Sequence, residues 1–136
     1  MTTINKSIFL KADKPTVWGF LTEVDKVKIW FHRYDADLAE GRDYKIFGQE
    51  SGDQLGSGTV VKSDPFNELE YSFAIGPMQG ASSTVRWTLE DAAGGTRLNL
   101  EHSGLSNDAE GFGLILALDK GWDEHLGRMR DPAAAA

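Results

Sequence analysis

The sequence predicts an α+β fold: a curved antiparallel sheet crossed on one face by a single long helix. Three observations carry this reading. From Tyr34 to His102 the chain runs as short stretches of alternating apolar and polar residues, separated by turn residues. No helical period interrupts those stretches, so neighbouring strands pair antiparallel. The only long helical period follows them, from about Asp108 to Arg130, and a sheet with one apolar face needs such a cover.

The elements follow in order. Ile4, Ile8 and Leu10 share a parity and mark a first strand; Lys6 breaks its pattern, which suits an edge. Asp13 is placed to cap a helix with Pro15 in its first turn and Val17, Trp18, Phe20 and Leu21 on its apolar side. A second short helix, about Asp25 to Phe31, carries Val27, Trp30 and Phe31. Strands are then expected at Tyr34–Leu38, Tyr44–Gly48, Gly58–Ser63, Leu69–Ile75, Ser83–Glu90 and Thr96–His102. The last two admit one register that satisfies both faces. Leu89 opposite Leu98 and Trp87 opposite Leu100 bring Glu90 to Arg97 and Arg86 to Glu101, pairs worth about 0.2–1 kcal/mol each. Asn107 is the expected cap of the long helix, whose stripe is Ile115, Leu118, Trp122, Leu126 and Met129.

A length of 136 residues fits one domain, expected over 1–130, with 131–136 as a loose tail because Asp131-Pro132 should stop the helix. A net charge of -7 disfavours nucleic acid as a partner. The absence of cysteine removes disulfides, thiol catalysis and Cys-ligated metals. No signal segment and no membrane span is read, so the expected location is cytoplasmic. The histidines lack metal-ligand spacing, no nucleotide loop or G-x-S-x-G elbow is present, and no cofactor is expected. Asp35, Asp37 and Glu40 read as a solvated strand face rather than a cation site.

Several short motifs, in this order, resemble one known family. They are Pro15-Thr16-Val17-Trp18, Gly58-Thr59-Val60, Asp64-Pro65, Leu69-Glu70-Tyr71-Ser72-Phe73, Ser83-Thr84-Val85, Gly94-Gly95-Thr96-Arg97-Leu98, His102-Ser103-Gly104-Leu105 and Gly121-Trp122. Together they are similar to the single-domain activator of heat-shock protein 90 ATPase homologues, within the START-related, Bet v 1-like superfamily. The resemblance implies a helix-grip fold with a hydrophobic cavity between the sheet and the last helix. It also implies three functions to be weighed: binding of a lipid, steroid or polyketide-like molecule, modulation of a chaperone ATPase, or cyclisation of a polyketide.

The residues give the first of these its content. Trp30, Tyr71, Phe73, Trp87, Phe112 and Trp122 fall on expected inward faces, and a set of aromatics with polar edges suits a cavity wall as well as a core. His102 continues the parity of Leu98 and Leu100, so it is read either as a structural histidine or as a polar contact for a ligand at the pocket mouth. A cyclase would need an acid or base in the pocket, and only His102 and Tyr71 qualify by parity. His32 reads as a helix-end residue and His125 as surface. The expected partner is a small hydrophobic molecule, with a chaperone as the alternative, in a monomer or a homodimer.

Overall fold

The computed structural model describes residues 1–136. Its chain runs β1 (Thr2–Leu10), α1 (Lys14–Thr22), α2 (Val24–Trp30), β2 (Arg33–Tyr34), β3 (Asp43–Phe47), β4 (Gln54–Asp64), β5 (Glu68–Ile75), β6 (Ser83–Ala92), β7 (Gly95–Leu105) and α3 (Phe112–Ala135). The strands form one antiparallel sheet in the order β1-β7-β6-β5-β4-β3-β2. This is the expected helix-grip arrangement, with α3 over one face and α1–α2 closing one end. No helix is long and apolar enough to cross a membrane.

Local chemistry explains the helix starts. The Asp13 carboxylate accepts the Thr16 amide at 3.0 Å and Pro15 occupies the first turn of α1, where its missing N–H costs nothing. The α2 start is capped from a distance: Asp37 Oδ1 accepts the Val24 amide at 2.8 Å. That use of Asp37, with Asp35 taking the Lys45 amide at 3.0 Å, ends β2 at Tyr34 instead of the expected Leu38. Glu40 takes the Ser63 amide at 3.0 Å, so all three carboxylates bind backbone and tie the loop down.

The β6–β7 register is the one read from the sequence: Leu89 faces Leu98, Trp87 faces Leu100, Glu90 faces Arg97 and Arg86 faces Glu101. Arg97 lies 3.6 Å from Glu90 and Arg86 3.9 Å from Glu101. A nearer partner of Arg86 is Glu68, which Lys62 also holds. The other face buries Ile8, Leu69, Val85, Trp87, Leu98 and Leu100 beneath the helices. At the β1 edge, Lys6 points under α3 and meets Asp119 at 2.7 Å and Asp123 at 3.0 Å. The break in the strand pattern is therefore a tether to α3.

Two expectations for α3 fail. Asn107 does not cap it; its carbonyl oxygen accepts the Thr2 hydroxyl at 2.7 Å, and α3 begins after a 3₁₀ turn over Ala109–Gly111. Nor does the helix stop at Asp131-Pro132. It runs to Ala135 with Pro132 inside it and Ala133 buried at 1% exposure, so 131–136 is not a loose tail. Pro132 removes one bond, to the Arg128 carbonyl near the last turns, where water can replace it, and docking of Ala133 offsets the loss.

Gly58 explains one motif physically. It pairs with Tyr44, whose ring lies across it and whose hydroxyl donates to the Ser72 carbonyl at 2.7 Å. A Cβ at position 58 would stand 2.7 Å from the Tyr44 ring. It would also collide with the backbone oxygen of Ser72, which cannot yield without spoiling the β4–β5 pairing. Gly58→Ala is expected to lower the stability to urea by about 1–3 kcal/mol. An unchanged urea midpoint would refute the close-approach argument.

Candidate functional site

Burial along α3 changes at Trp122. Trp122, Leu126, Met129 and Ala133 are buried, whereas none of the residues from Phe112 to Gly121 is. The C-terminal half of the helix is thus seated on the sheet and the N-terminal half stands over a void. That void is a cavity of about 350 Å³. Leu114, Ala117, Leu118 and Gly121 of α3 form its roof. Phe73 and Ile75 of β5 and Ile46 of β3 form its floor, with Phe31, Leu55 and Pro77 around the side. No Asp, Glu, Lys or Arg lines it; its only titratable walls are His32 and His125.

Leu55 reaches the cavity through an irregularity in the sheet. Ile46 pairs with Gly56 and the next residue, Phe47, with Gln54, so Leu55 is the extra residue of a bulge. A bulge re-aims one side chain, and here it sends Leu55 to the cavity wall.

Behind the cavity lies a string of hydrogen bonds that joins four elements. The Trp122 indole N–H donates to His102 Nδ1 at 3.0 Å. An indole can only donate, so Nδ1 is bare and the ring proton sits on Nε2. Nε2–H then donates to Ser83 Oγ at 2.8 Å, and the Ser83 hydroxyl donates to the Phe73 carbonyl at 2.8 Å. His102 is fully buried, and burial pulls its pKa down to about 4, which keeps the ring neutral.

The residues singled out in the sequence therefore part company. Phe73 and Trp122 line the cavity. Trp122 stacks on Phe31 with ring centres 5.6 Å apart and planes 5° from parallel, and meets Trp87 edge-on at 5.6 Å. His102 sits behind Trp122 with both ring nitrogens bonded, not at the mouth. Trp30 and Trp87 are core: the Trp30 indole donates to the Phe20 carbonyl at 2.7 Å, and that of Trp87 to the Tyr71 hydroxyl at 2.9 Å. Tyr71 is buried, and burial pushes its pKa up to about 12, so it stays protonated. Phe112 is 57% exposed at the start of α3, outside the cavity, which corrects its expected inward placement.

His125, read as surface, is half-buried and lines the cavity beside His32, their rings 5.2 Å apart. Its place was legible: Leu118, Trp122 and His125 follow one helical stripe, with Gly121 beside it. Burial pulls the His125 pKa to about 4 and lowers that of His32, to which the nearby Arg128 charge adds.

Comparison with known proteins supplies the kinship. The profile of the family described as "Activator of Hsp90 ATPase homolog 1-like protein" matches residues 11–132. No curated protein matches the sequence. Among solved structures, the chain is similar to protein MLL2253 of Mesorhizobium loti, with 23% identity, a TM-score of 0.81 and coverage of 94% of this chain and 93% of that one. It is similar to the Aha1 dimer of Colwellia psychrerythraea, with 20% identity, a TM-score of 0.82 and coverage of 98% and 97%. It is also similar to CalU16 of Micromonospora echinospora, with 23% identity, a TM-score of 0.76 and coverage of 93% and 73%. At these identities the structures speak for the fold.

The His102 string has a pH signature. Its folded pKa lies below the ordinary 6.5, so folding excludes a proton that the unfolded chain accepts. The contribution is complete above pH 6.5, is lost as pH falls from 6.5 to about 4, and changes no further below that. The loss from this residue is roughly 3 kcal/mol. His102→Phe leaves the Trp122 N–H without an acceptor and the Ser83 oxygen without its donor, so it is expected to cost about 3–5 kcal/mol at pH 7 and to flatten the pH dependence between 4 and 6.5. Urea melts of both proteins across that range are the measurement. A variant as stable as the parent at pH 7 would refute the structural role.

Proposed function

We propose, from the premise that this chain belongs to the activator of Hsp90 ATPase homolog 1-like family, that it binds a small apolar or amphipathic molecule in the cavity beneath the N-terminal half of α3. One observation carries this reading. The chain spends its buried polar groups on one another and leaves no buried side-chain polar atom unpartnered, yet keeps a void of about 350 Å³ walled by Phe31, Phe73, Leu118 and Trp122. Filling such a space with side chains would stabilise the fold by roughly 20 cal/mol per Å² of cavity surface. A retained apolar void on that scale suits an occupant.

The wall chemistry favours binding over catalysis. Of the two groups that could serve a cyclase by parity, Tyr71 hydrogen-bonds in the core and His102 is spent on Trp122 and Ser83, and neither lines the cavity. A chaperone as partner rests on the family description alone.

Gly121 offers a clean test, because a Cβ there meets nothing within 4 Å and the residue borders the void. Gly121→Phe fills the cavity from its roof and removes a helix-weakening glycine. The neutral fluorescent probe N-phenyl-1-naphthylamine is expected to bind the parent and to bind the variant at least about tenfold more weakly, with no loss of melting temperature. Equal probe binding by both proteins would refute occupation of this cavity.

A further inference from the structure

The cavity opens onto a second, polar space. A groove of about 490 Å³ shares Phe31, His32, Leu55 and His125 with the cavity, so these four residues form the neck between the two. Beyond the neck the groove carries Lys28, Gln49, Glu50 and Arg128. An apolar chamber joined to a polar vestibule matches a molecule with an apolar body and a polar head.

The charge of that head follows from how the vestibule is wired. The C-terminal end of α2 turns its carbonyls towards this space, and bare carbonyls repel anions. Here they are covered. The Gln49 side-chain amide donates to the Lys28 carbonyl at 2.6 Å and the Phe31 carbonyl at 3.0 Å, and His125 Nδ1 lies 3.1 Å from the Trp30 carbonyl. The Arg128 guanidinium also stands 3.1 Å from that Nδ1. The Trp30 carbonyl and the Arg128 guanidinium compete for that nitrogen, since a carbonyl can only accept and a guanidinium can only donate. At most one of the five guanidinium N–H donors is spent there, and Arg128 pairs with no carboxylate although the chain holds 21 acidic residues against 14 basic ones. Lys28 adds a second positive charge, shared with Asp25 at 3.7 Å. Glu50 is the one acid lining the groove.

We propose that the site selects anionic amphiphiles, with the apolar body in the cavity and a carboxylate or similar head on the guanidinium of Arg128 just beyond the neck. This rests on the cavity reading above and adds the head-group chemistry. At about 30 Å³ for each water-sized group, the chamber takes on the order of ten methylenes. Decanoate and decanol are therefore the matched probes, alike in body and different in charge.

Calorimetry at pH 7.5 is expected to give decanoate about tenfold over decanol, because a guanidinium–carboxylate contact is charge-assisted and can be bidentate. Arg128→Ala should bring decanoate down to the level of decanol and leave decanol unchanged, and Arg128→Lys should keep part of the preference. Raising the salt from 50 to 500 mM should weaken decanoate alone. Arg128 is exposed, so these variants keep the core. Equal affinities for the two probes, unmoved by Arg128→Ala, would overturn the head-group proposal and leave the cavity reading standing. Decanoate binding that depends on Arg128 but survives Gly121→Phe would overturn both, since the anion would then sit outside the cavity.

Discussion

The structure turns on the indole N–H of Trp122. A buried indole must find an acceptor, and the one it finds is a histidine on the far strand of the central hairpin. That demand fixes the rest of the string. His102 must be neutral with its proton on Nε2, Ser83 must receive that proton, and the Phe73 carbonyl must receive the next. One continuous set of hydrogen bonds thereby joins α3 to β7, β6 and β5. Around it the rings of Phe31, Phe73 and Trp87 close on Trp122 and bring the end of α2 into the same cluster. Every buried polar group in this region is satisfied internally, so the region packs as a core and offers the cavity only the apolar faces of its rings.

The void follows from where that string lies. α3 buries side chains from Trp122 to Ala133 and none before it. The strands beneath the free half present Ile46, Phe73 and Ile75, and the bulge at Leu55 adds one more apolar group. Lys6 secures the outer flank of α3 through Asp119 and Asp123, so the helix is braced on the side away from the neck. Opening is left to the side where His32, His125 and Arg128 stand.

Much of this was legible from the residues, for identifiable reasons. The β6–β7 register could be read because both faces voted for it: aliphatic partners inside and opposite charges outside. Asp13 could be read as a cap because its spacing to Pro15 and the apolar stripe admits little else. The errors have reasons as well. Strand parity and helix phase tell which face a side chain takes and not how deep it lies, so they group Trp30, Tyr71 and Trp87 with Phe73 and Trp122 although only the last two line the cavity. A bulge shifts parity by one, which hid Leu55. The end of α3 escapes a local reading because Pro132 is a local stop signal, while docking of Ala133 is a tertiary effect that overrides it. The surface reading of His125 overlooks its phase on α3, which places it with Trp122.

The position of Trp122 has an optical consequence. The chain has four tryptophans, and Trp122 alone borders the cavity. Trp18 packs edge-on against Phe66 on the far side of α1, and Trp87 is fully buried in the core. An occupant therefore touches one indole whose N–H is already committed to His102. Its arrival would alter the polarity beside that ring without changing its hydrogen bond, while Trp18 and Trp87, which line neither space, would supply a constant background. The indole of Trp122 is thus placed as an emission reporter for the cavity it borders.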